Sequence, residues 1–421
     1  MERRNTEKAE RDSKALRRLA PLYVVVFMGF VGYSLMITVF TPMLLRADRA
    51  MLAPDTSTST RAIVLGALLC LYPLGQFIGS PVLGTLSDRF GRRPILVASL
   101  FATTACYALI SFAITANNLA LLAAASLAAG LSEANIVTAQ SAIADVVPPQ
   151  ERNRYFGYVY MAVSLAYIIG PLGGGKLTDP RLASWFSDAT PFWVAFALLA
   201  VTLVAVWAFF RETRAPGQVR RPARIIESFT SLAAVFTDTR LRRFYGINFL
   251  LYLAIFGFFR SYPMYLVDEF GLDVSRVSEF VAWVGLPIVL ANLWLTGFLS
   301  DRFAISTLTV CSAAFTGVFM IATVLPASEA GLWPVLFLAG AALAVCLPSC
   351  ATLLSNAADP KTQGQAMGNN QALQVGAEAL SGLAAGFLAA IMVKLPLIVL
   401  GIMSIAAAIL AVFMLKRGWR A

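Results

Sequence analysis

The chain has 421 residues, 58% hydrophobic and 13% charged, against about 25% charged in an ordinary soluble domain, so it cannot close around a single aqueous core and calls for lipid. Its net charge of +10 lies in short segments between apolar runs, without the basic stripe and interleaved aromatics of a nucleic-acid binder. No Gly-x-x-x-x-Gly-Lys-Ser/Thr loop is present, so direct ATP drive is unsupported and an ion gradient must supply any work.

Residues 1–20 form a mixed-charge segment. The apolar run after them is too long for a signal-peptide core and lacks a small-residue cleavage site, so it is expected to stay as the first span. A hydrocarbon core of roughly 30 Å needs about 20 apolar residues in helix, and bare backbone in lipid must be helical. Twelve runs qualify: 21–45, 62–86, 94–115, 119–144, 155–177, 191–210, 244–267, 280–299, 306–325, 333–354, 366–393 and 396–415. With both termini cytoplasmic, roughly three quarters of the 33 Lys and Arg fall on the inner side, the positive-inside pattern. The segment 211–243, rich in Arg and Pro, divides the spans six and six.

The predicted organisation is a cytoplasmic segment 1–20, a first bundle 21–210, a cytoplasmic linker 211–243, a second bundle 244–415 and a cytoplasmic tail 416–421. The fold class is all-α: twelve transmembrane helices in two pseudo-symmetric six-helix bundles. Internal repetition supports the division. Gly84-Thr85-Leu86-Ser87-Asp88-Arg89-Phe90 returns half a chain later as Gly297-Phe298-Leu299-Ser300-Asp301-Arg302-Phe303, and Pro42-Met43 in span one returns as Pro263-Met264 in span seven. Parallel repeats of this kind place substrate near the bilayer midplane, between the halves.

Three ionisable residues sit within spans: Glu133 in span four, Arg260 in span seven and Glu378 in span eleven. Each is worth at least roughly 2.5–3.5 kcal/mol against insertion at a helix centre, so each needs a reason. Desolvation favours the neutral form of a carboxylate, and the chain has no His, so Glu133 is the preferred proton or cation site, with Glu378 beside it. The plainer reading is an ion pair of Arg260 with either acid that only holds helices together. Gln374 and Asn292, with Asn369, Asn370 and Gln371, supply amides that either bind substrate or join helices. Tyr33, Phe30, Phe258, Phe259, Trp283 and Trp294 are candidates for an apolar wall. The five Cys lie in apolar runs without metal-ligand or redox spacing and read as small core residues, with no disulfide.

Gly84 to Pro94, with Gly91-Arg92-Arg93-Pro94 closing it, resembles the signature loop of the major facilitator superfamily. Ile143-Ala144-Asp145, Glu151-Arg152-Asn153-Arg154-Tyr155-Phe156-Gly157 and Gly170-Pro171-Leu172-Gly173-Gly174 are similar to the twelve-helix drug:proton antiporters, the tetracycline exporters among them. The resemblance implies a secondary transporter that works by alternating access, and a cytoplasmic gate of Asp88, Arg89, Arg92, Arg93, Asp145, Arg154, Asp301 and Arg302. It also implies an antiporter-type motif on span five at Gly170, Pro171, Gly173 and Gly174. The expected activity is proton-coupled export of an amphipathic organic compound from an inner or plasma membrane, by a monomer that is not an enzyme. Its partners are a small organic substrate, protons and lipid, with no nucleic acid, metal or cofactor. Two alternatives stay open. Arg260, and Ser126 where proton-coupled members carry an Arg, favour an uptake symporter or facilitator for a metabolite, amino acid or siderophore; a transporter-like sensor is the other.

Overall fold

The computed structural model describes residues 2–48, 51–133, 135–147, 152–213, 241–358 and 363–416, and every regular element among them is helical. Span one is Glu2–Leu45, span two Thr58–Phe90, span three Arg92–Thr115 and span four Leu119–Ser132 followed by Asn135–Val146. Spans five and six are Arg152–Leu177 and Thr190–Phe209. In the second half, span seven is Arg242–Phe270, and span eight runs Val274–Leu290, a π-helical turn Ala291–Leu295, then Thr296–Ser300. Spans nine to twelve are Ile305–Ala322, Glu329–Ala357, Gln363–Ile391 and Leu395–Lys416. Among the described residues ten helices are long and apolar enough to cross a membrane, and shorter apolar stretches, Leu119–Ser132 and Met161–Leu177, occupy the places of spans four and five.

Two details differ from expectation. The helix that carries span one starts at Glu2, so residues 2–20 are helical ahead of the apolar stretch Leu19–Leu45. Span four is not one rod: it stops at Glu133, whose backbone (φ −99°, ψ 74°) leaves the helical region. The bulk of the linker, 214–240, and the tail from 417 onward lie outside the described residues.

Buried apolar side chains gather into two cores, one centred in spans one to six, which Met264, Val274 and Ala385 join across the interface, and one in spans seven to twelve, as two packed six-helix bundles require. The bundles meet through spans two and eleven and through spans five and eight. Toward the end that carries Arg46 they approach to backbone contact. A Cβ on Gly66 of span two would stand 2.6 Å from both Gly382 O and Gly386 Cα of span eleven, and one on Gly175 of span five would stand 2.6 Å from the Ser278 side chain of span eight. Only glycine permits that approach. Two hydrogen bonds close the same end: Ser59 Oγ donates to Ala390 O at 2.7 Å and Arg46 Nη1 to Gly271 O at 3.5 Å.

The opposite end, which carries Asp88, is apart. Asn292 to Leu295 of span eight are all exposed, Trp294 at 71%. Four consecutive positions cover a full helical turn, so side chains are exposed on every side of that turn although it lies beside span ten. A Cβ on Gly297 or Gly368 would meet nothing within 4 Å. The bundles therefore form a cleft that is sealed at the Arg46 end and open at the Asp88 end.

Candidate polar site between the bundles

The helix packing that seals one end also sets the site. Span four lies against span two so closely that a Cβ on Gly130 would collide with the backbone of Tyr72. Tyr72 thereby faces the break in span four, and its hydroxyl donates to Glu133 Oε2. Gln76, one turn along, donates to Glu133 O at 3.4 Å. Tyr107 of span three completes the lining: its hydroxyl is buried, sits in the space left by the missing side chain of Gly32, and lies within electrostatic reach of Glu133. Glu133 itself is only 3% exposed.

Across the interface, Glu378 (8% exposed) and Arg260 (1% exposed) meet Tyr33 of span one. The Tyr33 hydroxyl donates to Glu378 Oε1 at 2.6 Å and accepts from Arg260 Nη2 at 2.6 Å. Arg260 Nη2 also lies 3.4 Å from Glu378 Oε1, and its Nη1 donates to Phe256 O at 3.1 Å. A buried ion pair is tolerated when further hydrogen bonds satisfy its remaining donors and lone pairs; here a tyrosine from the other bundle and the Phe256 carbonyl serve Nη2 and Nη1, while Arg260 Nε is buried without a hydrogen-bond partner. The Tyr33 ring stacks on Tyr72, centroids 4.6 Å apart and planes 13° apart. Glu378, Tyr33, Tyr72 and Glu133 thus form one contiguous array across the two bundles.

The span-five motif explains how Tyr33 is held. Gly170 lies against Val31 and Ser34 of span one, and Gly174 against Leu35, so spans one and five pack tightly on either side of Tyr33's level. Pro171 is inside that helix, and Gly173 faces open space. Tyr167 meets Tyr33 edge-on at 6.4 Å, with Phe30 at 5.9 Å and Phe259 of span seven at 6.5 Å. These half-buried aromatics line the array on the span-five side.

The other predicted residues divide. Gln374 is half-buried one turn from Glu378 on the same helix face. Asn292 is exposed on the π-helical turn of span eight, away from the acids, although such turns are frequent at functional sites. Asn370 joins helices: it donates to Tyr252 OH at 2.7 Å and accepts from Asn248 at 2.9 Å. Trp283 donates to Trp333 O at 2.8 Å, and Phe258 is fully buried in the second core. Four cysteines are buried, but Cys311 is exposed, a correction to its core assignment; all five are free thiols. Tyr72, Tyr107, Asn248 and Tyr252 were not legible as site or glue residues. A polar handle in an apolar run was the only available signal for them.

At the Asp88 end, Arg92 pairs with Asp88 at 2.6 Å and with Asp145 at 3.0 Å, and bonds Ser87 Oγ at 2.7 Å. Glu212, at the end of span six, accepts from the backbone N–H of Arg92 and Arg93 at 3.0 and 3.1 Å, which caps the N-terminus of span three. Arg93 Nη2 donates to Trp207 O at 2.6 Å. These partners all belong to the first bundle or to the chain just after its last helix. Arg89 lies over the Phe90 ring and Arg302 over Phe298, 3.6 Å from its centroid, with Asp301 exposed beside it. The side chain of Arg154 lies outside the described residues.

Comparison with known proteins agrees with this architecture. A tetracycline resistance protein, class C, of Escherichia coli is 27% identical over 308 residues, 73% of this chain and 75% of that protein. A D-xylose-proton symporter shares the fold with a TM-score of 0.76 at 16% identity, covering 94% of this chain and 96% of the other. The human organic anion transporter MFSD10 (TETRAN) does so with a TM-score of 0.67 at 18% identity, over 94% and 99%. The sequence profile of the Major Facilitator Superfamily matches residues 19–368 and again 244–419, and with paired six-helix bundles around a polar cleft this chain belongs to that superfamily of membrane transporters.

Proposed function

We propose that this transporter exports an amphipathic organic compound in exchange for protons, with Glu133 and Glu378 as the carboxylates that exchange protons for substrate. The observation that carries the reading is the array in which both acids, each bonded by a tyrosine, are joined through the stacked Tyr33 and Tyr72 rings across bundles sealed on one side and open on the other. An acid in such a place has a desolvated site and a partner that registers its charge. The Asp88 end, richest in Lys and Arg, is assigned to the cytoplasm on the orientation rule, which puts the open cleft on the side from which an exporter loads. Kinship to tetracycline resistance proteins supports drug-like cargo.

Charge narrows the cargo. The array holds two acids and one base, and the base is already bonded to Glu378, Tyr33 and Phe256 O. Cationic or neutral compounds suit it better than anions, and aromatic faces at Phe30, Tyr167 and Phe259 favour a flat apolar body or an ammonium group. Uptake of an anionic metabolite is the second reading, with Arg260 as its binding group. Proteoliposomes under imposed pH gradients of either sign, with cationic, zwitterionic and anionic compounds, separate the two. Export coupled to protons requires accumulation of cations or neutrals driven by an opposing proton gradient; accumulation of anions alone would overturn it. Glu133→Gln is expected to abolish pH-driven flux while substrate exchange continues.

A further inference from the structure

We propose that Tyr33 is the residue that prevents the empty carrier from turning over, by locking the first bundle to Glu378 and Arg260 whenever Glu378 is ionised and no substrate is bound. This rests on the proton-exchange reading above and adds the device that makes the exchange obligatory. Tyr33 belongs to the first bundle, and its hydroxyl bonds two side chains of the second, donating to Glu378 at 2.6 Å and accepting from Arg260 at 2.6 Å. Among the described residues the other cross-bundle hydrogen bonds, Ser59 to Ala390 and Arg46 to Gly271, end on backbone carbonyls at the sealed rim. Of these, the Tyr33 bond is the one that ends on a group that can change charge.

An antiporter must let two loaded forms reorient and hold the unloaded form still. A bond to a carboxylate is roughly twice as strong as one between neutral groups. While Glu378 is ionised, its bond from Tyr33 and the pairing with Arg260 hold the Arg46 end shut, as in this structure. A proton from water neutralises Glu378 and takes away the charge that draws both partners; a substrate cation on Glu378 displaces them. Either event frees span one from spans seven and eleven. The empty, deprotonated carrier has neither and stays where it is.

The neighbours of Glu378 leave it as the charge that changes. Span one offers Tyr33, span seven Arg260, and span five Tyr167, within electrostatic reach of both charges. Span two contributes Tyr72, bonded to Glu133, and the thiol of Cys70. Span ten presents only Cys346 and Cys350 along its membrane stretch, and span twelve no ionisable group before Lys416.

The test is Tyr33→Phe, which keeps the ring and its stack on Tyr72 and removes only the hydroxyl. Two readouts are taken in oriented vesicles: pH-driven accumulation against substrate counterflow, and alkylation of native Cys70 by an impermeant maleimide from the Arg46 side, in a Cys311→Ser background. Cys70 is buried where span two meets Gly382, so its reactivity reports opening of that end. Expected in Tyr33→Phe are a ratio of pH-driven accumulation to counterflow lower than wild type by about tenfold or more, the scale of one charge-assisted hydrogen bond, and Cys70 alkylation several-fold faster without substrate at high pH. Comparison with wild type at each pH cancels the thiol's own titration. Glu378→Gln, read by Cys70 alone, is expected to match it. Wild-type coupling and wild-type Cys70 reactivity in Tyr33→Phe would overturn the lock. Absence of pH-driven accumulation in the wild-type protein would instead sink the proton-exchange reading, and Cys70 would still report whether Tyr33 holds that end closed.

Discussion

Arg260 is buried to 1% exposure, and its formal counter-charge in the structure is Glu378. Removing one member of a buried pair leaves the other charge stranded, at a cost of about 3–5 kcal/mol, whereas replacing both with neutral groups of similar volume is often harmless. Arg260→Met is therefore expected to lower the thermal midpoint of the detergent-solubilised protein, and Arg260→Met with Glu378→Gln to recover most of the loss. If the double variant melts as low as the single one, the two residues are not an energetic pair. Glu133, Arg260 and Glu378 were all legible in the sequence, because an ionisable group inside an apolar run stands out against its insertion cost. Their tyrosine partners were not. Tyr33 is 345 residues from Glu378 and Tyr72 is 61 from Glu133, and which pairs meet depends on helix rotation, which the pattern of these nearly all-apolar spans leaves open.

The helices place these residues through glycine. Gly66, Gly382 and Gly386 bring spans two and eleven together at backbone distance, whereas Gly368, nearer the Asp88 end of span eleven, has nothing within 4 Å. The contrast makes a matched pair of substitutions. Gly66→Ala sets a methyl against the Gly382 carbonyl and the Gly386 Cα, neither of which can give way as a side chain can, so the two spans must part and the sealed end loosens. Faster Cys70 alkylation and transport reduced by about tenfold or more are expected, since overpacking of about 1–3 kcal/mol acts on one conformation only. Gly368→Ala is expected to leave both unchanged in this state; equal effects from the two would mean that helix propensity, not the interface, is being read. Sequence reasoning placed the spans well but missed the break at Glu133. Neither Gly nor Pro stands at Glu133 or Ala134, and the interruption coincides with the side chain's capture by Tyr72, a tertiary effect that no local signal announces.

For the molecule as a whole, the two copies of the Ser-Asp-Arg-Phe segment have become unequal. The first is tied into its own bundle through Arg92, Asp88, Asp145 and Glu212, while the second has Ala304-Ile305-Ser306 in place of Gly-Arg-Arg and leaves Asp301 and Arg302 exposed. The duplication was plain in the sequence; which end of the cleft stood open was not, since both conformations must be encoded by one chain and differ by only a few kcal/mol. In this structure none of the gate contacts described above joins one bundle to the other, as an open Asp88 end demands. When that end closes, the two segments must approach each other, and the exposed faces of Asn292 to Leu295 must find cover. Spin labels at Arg89 and Asp301, both exposed, measure this directly. In the unloaded protein at high pH a single long distance is expected; transported substrate is expected to add a population shorter by several ångströms. Acidification without substrate is expected to add the same short population in wild type, because protonation also releases the lock. In Tyr33→Phe the short population is expected to be present before either is added. A distance distribution unmoved by substrate and pH alike would mean that the bundles do not rock about the Tyr33 array, and that the cleft is a fixed feature of the fold.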